Sequence, residues 1–468
     1  MAKPSENVFI LERQAHMHSG SINNMTTGTP WKLILRFSLP LLMGNLLQQA
    51  YNIVDSIVVG KFIGTTALAA VGTAFPVIFL LLSLFIGLGV GSMIIISQYF
   101  GADNRDAVKK TIDTTYITMF AVGVPLSVVG IFLSEPLLLL MNTPADVLPQ
   151  ATTYMQIIFA GTIASFGYNI NSGILQGLGN SRSPLLYLLI ATIANISLDL
   201  LFVGVFGWGV AGVAWATIIA QIIAFLFGIW HINRTQTYIR ISLRGMQPNT
   251  RLLLDSIRLG LPAGLQNMSF SIGIMVMQSL INSYGSVFMA GFNGANKIDA
   301  IAFMPMMTFS SAITTYVGQN IGAGRMDRVR QGLRWTLVMS SVVCLIICPL
   351  ILIFANPLMQ MFDSNPAVIE AGIAYLSRVV PFFILLSVMF IYTGALRGAG
   401  EAAVPLITAI VSLWMARVPL AYLLATTGRD NMFYSYLLGW IAGCLIIIPY
   451  YYSGRWKKKA VVRTPINS

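Results

Sequence analysis

The sequence predicts an all-α integral membrane protein, with twelve transmembrane helices in two parallel-related six-helix lobes. Three observations carry that prediction. Of the 468 residues, 56% are hydrophobic and only 9% charged, with mean hydropathy +0.76, whereas soluble domains hold about 25% charged residues. Apolar runs of about 20 residues or more, enough to cross a hydrocarbon core about 30 Å thick, recur along almost the whole chain. The second half of the sequence also repeats the first at a fixed offset.

The spans fall at 33–58, 66–96, 114–134, 150–177, 184–205, 211–232, 256–284, 289–318, 335–354, 370–396, 404–426 and 432–452. Residues 1–30 are polar apart from a short run, Val8 to Leu11, so they read as a cytoplasmic tail rather than a cleaved signal. With that end inside, 23 of the 28 Lys and Arg fall on the same side, and the opposite loops hold only Lys61 and Arg429. The positive-inside rule then places both termini in the cytoplasm of a cell-membrane protein. The net charge of +12 follows from topology, and nucleic acid is not needed to explain it.

A shift of 221 residues lays "SQYFGADNRDAV" (97–108) on "GQNIGAGRMDRV" (318–329), matching Gln98 with Gln319 and Gly101 with Gly322. Tyr154 falls on Tyr375, and "SGILQGLGNSRSPL" (172–185) on "TGALRGAGEAAVPL" (393–406). Six helices per half is an even number, so the halves run in the same direction, related by an axis along the membrane normal, with a substrate site between them. The division is an N-lobe at 31–232, a basic linker at 233–255, a C-lobe at 256–452 and a basic tail at 453–468. Apolar residues among the linker's arginines suggest a stretch lying on the membrane surface.

An ionised side chain at the bilayer centre costs at least about 2.5–3.5 kcal/mol, so it needs a partner, a proton or a watery cavity. The acids well inside predicted spans are Asp55, Asp199 and Asp299. Asn45, Gln48, Asn52 and Asp55 are spaced 3, 4 and 3, one face of the first helix. Thr192, Asn195 and Asp199 form a similar stripe on the fifth, and Thr162, Ser165, Asn169 and Ser172 on the fourth. These stripes suggest one shared pocket in which Asp55, Asp199, Asn195 and Asn169 hold either a proton or Na⁺. Two neighbouring buried carboxyls favour sharing a proton, and ionised they form, with amide oxygens, a hard oxygen site for Na⁺ at Asp55, Asn195 and Asp199. A hydrogen-bond network that only orients helices is the plainer alternative.

The second half repeats the scaffold without an acid on the seventh helix or in the central run of the tenth, so coupling is expected to rest on the first half. Asp299 is weighed equally as a structural ion pair with Arg378, Arg397 or Arg417, and as a substrate contact. Dense methionines on the seventh and eighth helices, Met275 among them, suit ligands of variable shape. With Gln48, Asn52, Tyr51, Tyr154 and Gln278 they are the candidate substrate contacts, the tyrosines through cation–π contact with an organic cation.

"QQAYNIVDSIVVG", "LQGLGNSRSPL", "GVAGVAWAT", "VGQNIGAG" and "ALRGAGEAAVP" occur in the order that resembles the MATE family of multidrug and toxic compound extrusion proteins, over roughly residues 30–455. The resemblance implies an antiporter that exports cationic amphipathic compounds in exchange for H⁺ or Na⁺, without other cofactors and as a monomer. It also implies cation binding at an aspartate of the first helix and the Asn-x-x-x-Asp pair of the fifth. An enzyme is not expected: no nucleophile, base and orienting group recur, His231 stands alone, and His16-x-His18 is too short for a metal site. Channels and receptors fit poorly with the six-plus-six repeat, and "GADNRDAVKK" lacks the central glycine of the major facilitator loop. A flippase for a lipid-linked saccharide is the alternative, because Lys297, Arg378, Arg397 and Arg417 all fall in the second half. Cys344, Cys348 and Cys444 lie in apolar runs and are expected to pack rather than pair.

Overall fold

The computed structural model describes residues 24–236, 239–242 and 245–462, apart from the side chain at position 84. Positions 1–23 and 463–468, including His16 and His18, lie outside the described residues.

Among the described residues the chain forms twelve membrane-length helices and no strand. In the N-lobe these are α1 (Pro30–Val58), α2 (Thr65–Gly101), α3 (Arg105–Leu140), α4 (Leu148–Ala160 and Thr162–Gly177), α5 (Arg182–Asp199) and α6 (Gly209–Thr235). The C-lobe holds α7 (Thr250–Asn282), α8 (Ser286–Gly322), α9 (Met326–Ile353), α10 (Pro366–Val379 and Phe383–Gly398), α11 (Ala403–Ile410 and Val418–Ala425) and α12 (Tyr434–Tyr452). Ten helices are long and apolar enough to span a membrane by themselves. The other two are α1, diluted by its polar face, and α4, divided at Gly161.

Helix ends differ from the predicted limits where a cap extends them. Asn104 accepts from the Ala107 N–H at 3.0 Å, and Asn249 from the Leu252 N–H at 3.1 Å, so α3 and α7 begin well before their apolar runs. The linker is correspondingly short, and it does not lie free on a surface. Asn233 donates to the Ile241 carbonyl at 2.9 Å, while Ile239 and Ile241 are buried in the N-lobe core beside Tyr116 and Phe225. Burying each isoleucine away from water contributes about 1.5–3 kcal/mol. Cys344, Cys348 and Cys444 are free thiols within the C-lobe core.

Each lobe has its own core, and the lobes meet on the side where the termini lie. Gly87 and Gly91 of α2 sit against Gly260 and Ser256 of α7 so closely that a Cβ on Gly87 would stand 2.3 Å from the Gly260 oxygen. Nearer the ends of α2 and α8 the contact becomes reciprocal. Gln98 donates to the Gly398 carbonyl at 2.9 Å and Gln319 to the Gly177 carbonyl at 3.0 Å. The two glutamines are repeat partners, and so are the two glycines. Each glutamine oxygen then accepts from a terminal segment: Gln98 from the Val461 N–H at 2.8 Å, Gln319 from the Met25 N–H at 2.9 Å.

The terminal segments nearest the lobes are therefore straps rather than loose tails. Met25 is fully buried in the C-lobe core, and Val461 packs on Met93, Ile94 and Ile95 of the N-lobe. Arg328 fixes the first strap by donating to Asn320, to the Gly28 carbonyl at 2.9 Å and to the Met25 carbonyl at 3.2 Å. Hydrogen bonds from a charged group contribute about 1.5–3 kcal/mol. Arg328→Gln should therefore raise amide hydrogen exchange at residues 25–28 roughly tenfold to a hundredfold; unchanged exchange would show that the burial of Met25 alone holds the strap.

Candidate functional site

The stripes on α1 and α5 converge. The carboxyl groups of Asp55 and Asp199 are close neighbours. Asp199 is fully buried and Asn195, one turn before it, nearly so. Asn195 donates to the Thr217 hydroxyl of α6 at 3.4 Å, and the Tyr51 hydroxyl lies 3.4 Å from the same oxygen. Tyr154 of α4 stands beside both carboxyls.

The hydrogen-bond account of this cluster does not close. Both oxygens of Asp199, Oδ1 of Asp55 and Oδ1 of Asn195 are buried without a partner. Two facing carboxyls cannot both ionise at such separation without a cation between them. Four acceptor oxygens on three neighbouring side chains thus have no protein donor among the described residues.

The backbone is irregular at this level in both helices. α1 passes into a π-helical turn at Val59–Ile63, one turn after Asp55, and α5 into another at Leu200–Val205, immediately after Asp199. Such turns leave the helix ladder locally unsatisfied and concentrate at functional sites. They supply the pliable point that no proline beside Asp55 provides.

Asn169 is not brought to this pair. It faces a separate cavity of about 1020 Å³ with Phe85, Met93, Thr115, Gln176 and Ser256. Gln48, Tyr51, Thr192, Asn195 and Thr217 line a smaller one of about 340 Å³. Ser165, hydrogen-bonded to Gln221 of α6, stands between the two. The stripe on α4 therefore serves a different surface: within the same segment Tyr168 lines the smaller cavity with Gln48 and Tyr51, while Asn169 lines the larger one. Asn52 is exposed, within 3.5 Å of Gln48. Thr217 and Gln221, one turn apart on α6, belong to the site and escape a sequence reading focused on charge.

The C-lobe holds a further cavity, about 1800 Å³, walled by α7, α8, α10, α11 and α12 with Phe79 of α2. Asp299, Arg397 and Arg417 are its charged residues. Asp299 accepts a hydrogen bond from Tyr375, the repeat partner of Tyr154. No Lys or Arg comes within ion-pair distance of Asp299 among the described residues. Arg378 instead pairs with Asp430 at 3.8 Å, and Lys297 lies over Phe362. Met275 is about half exposed and Gln278 donates to Asn282 at 2.8 Å, so neither lines this cavity. The inward positions of α7 are Asn267, Phe270, Ile274 and Met277, at helical spacing; Met275 is out of that phase.

Twelve spanning helices in two repeat-related lobes, with buried acids in one and an aromatic-lined cavity in the other, define a two-lobed membrane transporter rather than an enzyme. The MatE family model matches the chain twice, over residues 40–201 and 262–423, which again displays the repeat. The chain belongs to the MatE family. It is 32% identical over 435 residues to the probable multidrug resistance protein YpnP of Bacillus subtilis, covering 93% of this chain and 97% of that one. A second Bacillus subtilis relative, the probable multidrug resistance protein YoeA, is 30% identical over 92% of this chain and 96% of its own length. Among solved structures, the outward-facing conformation of a multidrug resistance MATE family transporter superposes with TM-score 0.87 at 25% identity, over 94% of this chain and 99% of that one. Drug efflux is thus the class of work to which the chain's relatives point.

Proposed function

We propose that this chain is a secondary antiporter exporting amphipathic organic compounds, organic cations among them, in exchange for H⁺ or Na⁺, with Asp55, Asp199 and Asn195 as the ion site. The observation carrying the reading is the set of four unpaired buried oxygens between α1 and α5. Nothing in a purely structural network would leave them so. An ion bound there stabilises the approach of α1 to α5, and its loss lets the two π-helical turns rearrange. Coupling follows if ion and substrate favour different arrangements of the lobes, since a ligand with equal affinity for both shifts nothing.

The C-lobe cavity supplies the substrate surface, with Asp299 for a basic nitrogen and an aromatic wall that includes Phe303 and Phe390, edge to face at 5.3 Å. A flippase for a lipid-linked saccharide fits less well, because two of the four basic residues counted for it, Lys297 and Arg378, lie outside the cavity. The same orientation of the termini, inward in a cell membrane, and a monomeric unit complete the reading.

The test is export of a fluorescent organic amphiphile from proteoliposomes under an imposed pH gradient or an imposed Na⁺ gradient, applied separately. The reading expects one gradient, or both, to accelerate export at least about tenfold over no gradient, since a coupling free energy of about 1.4 kcal/mol already gives that factor. Equal rates under all three conditions would overturn it.

A further inference from the structure

Arg397 and Arg417 do nothing in the ion site, yet they are the costliest side chains in the C-lobe. Arg397 of α10 donates to Gln266 of α7 through Nη2. Arg417 lies over the Tyr436 ring, 3.3 Å from its centroid, in a π-helical turn of α11 at Val411–Arg417. Each occupies one part of its fork in this way. The Nε of each is buried with no acceptor.

Guanidinium groups remain charged in proteins, and the edge formed by Nε and one Nη matches the two oxygens of a carboxylate or phosphate. Both arginines line a cavity with one carboxylate, already held by Tyr375, which leaves the chamber with a net positive charge. A pocket built only for cations would not carry that balance, because each buried unpaired donor costs about 1–3 kcal/mol and more when charged. Asp299 does not relieve it, as neither guanidinium reaches ion-pair distance of its oxygens.

From this geometry we infer that the C-lobe cavity binds an acidic group, a carboxylate or phosphate, on an amphipathic aromatic molecule, with Arg397 and Arg417 as its receptor. The favoured substrates are thus zwitterionic or acidic amphiphiles: the acid sits on an arginine of the cavity wall, any basic nitrogen near Asp299, and the ring system on the aromatic wall. The inference rests on the reading of the chain as an exporter of amphipathic compounds and narrows the class that it exports. The shared chemistry has two sources, a free solute or an anionic lipid headgroup.

Equilibrium binding to the purified transporter in phosphatidylcholine nanodiscs tests it with a matched pair of probes. ε-Dansyl-lysine carries an ammonium and a carboxylate; its methyl ester keeps the ammonium and the fluorophore and lacks the acid. Wild type should bind the acid about tenfold more tightly than the ester, the factor given by one charge-assisted hydrogen bond of about 1.4 kcal/mol. Arg397→Gln and Arg417→Gln should each reduce that preference, and together bring the ratio to about one, while ester binding persists and reports an intact fold. An ester that binds wild type as tightly as the acid, or a preference unchanged in the double variant, would overturn the inference. Repeating the titration with phosphatidylglycerol in the nanodisc separates the sources. A loss of acid affinity in wild type but not in the double variant assigns the receptor to a headgroup, and no loss assigns it to a free solute; both retain the anion site. Binding needs no gradient, so anion preference without ion-driven export would sink the exporter reading alone, and export without anion preference would sink the arginine receptor alone.

Discussion

Asp55→Asn should abolish gradient-driven export, lowering the accelerated rate by about a hundredfold, while leaving slow downhill exchange of substrate in place. The asparagine keeps the size and hydrogen-bonding of the side chain but neither accepts a proton nor contributes a charge to a bound cation. The ion then has no differential affinity for the two lobe arrangements, and moving such an equilibrium from 1:99 to 99:1 requires a preference of about 10⁴. Asp199→Asn should do the same, because the carboxyls act as one receptor. The double variant should be no worse than either single one, as expected for groups in direct contact, whose effects do not add. Asn169→Ala serves as contrast: its side chain faces the separate cavity, so ion-driven export should fall by no more than about threefold, in line with a substitution that touches no part of the receptor.

Gly322→Ala and Gly101→Ala should each open the molecule on the side of its termini. A Cβ on Gly101 would lie 1.9 Å from the Gln319 carbonyl oxygen, and one on Gly322 would lie 1.8 Å from that of Gln98. Both obstacles are backbone, which no rotamer change removes. Overpacking of this kind costs about 1–3 kcal/mol, charged wholly to the closed arrangement, so the open one gains roughly tenfold to a hundredfold in population. Asp106 and Asp327, exposed repeat partners on opposite lobes, are suitable positions for spin labels. Their distance distribution should acquire a longer component in either glycine variant, and Gln98→Ala combined with Gln319→Ala should act in the same direction. A distribution identical to wild type in all three would show that the paired glutamines do not hold the lobes together.

Much of this was legible in the sequence because membrane insertion leaves so few choices. Apolar length, basic loops and the 221-residue offset give twelve helices and two lobes, and the spacing of Asp55, Asn195 and Asp199 gives the buried polar cluster between α1 and α5, since a buried acid in a helix has few places to face. What the sequence does not display is where an irregular backbone redirects a stripe. Asn169 follows the polar periodicity of α4, yet it is its neighbour Tyr168 that lines the cavity at α1, and Asn169 lines another. Met275 is one of many methionines, and helical phase, invisible in a count, puts Met277 on the cavity instead. Arg397 and Arg417 attract notice as misplaced charges, but their lack of acceptors is a three-dimensional property. The straps were hidden for a different reason: residues 24–28 and 461–462 are too short to carry a pattern, and they are held by partners distant in sequence, the buried Gln98 and Gln319 and Arg328.

The central claim is that the Asp55–Asp199 pair holds the ion given up when substrate binds. Its most direct measurement is ion release at equilibrium: an exported amphiphile is added to purified transporter in weakly buffered solution, with a pH indicator for protons and preloaded ²²Na⁺ for sodium. Wild type should release about one H⁺ or one Na⁺ per substrate bound, and Asp55→Asn should release neither while still binding the amphiphile, as reciprocal linkage between two sites requires. Equal release from wild type and Asp55→Asn would contradict the account.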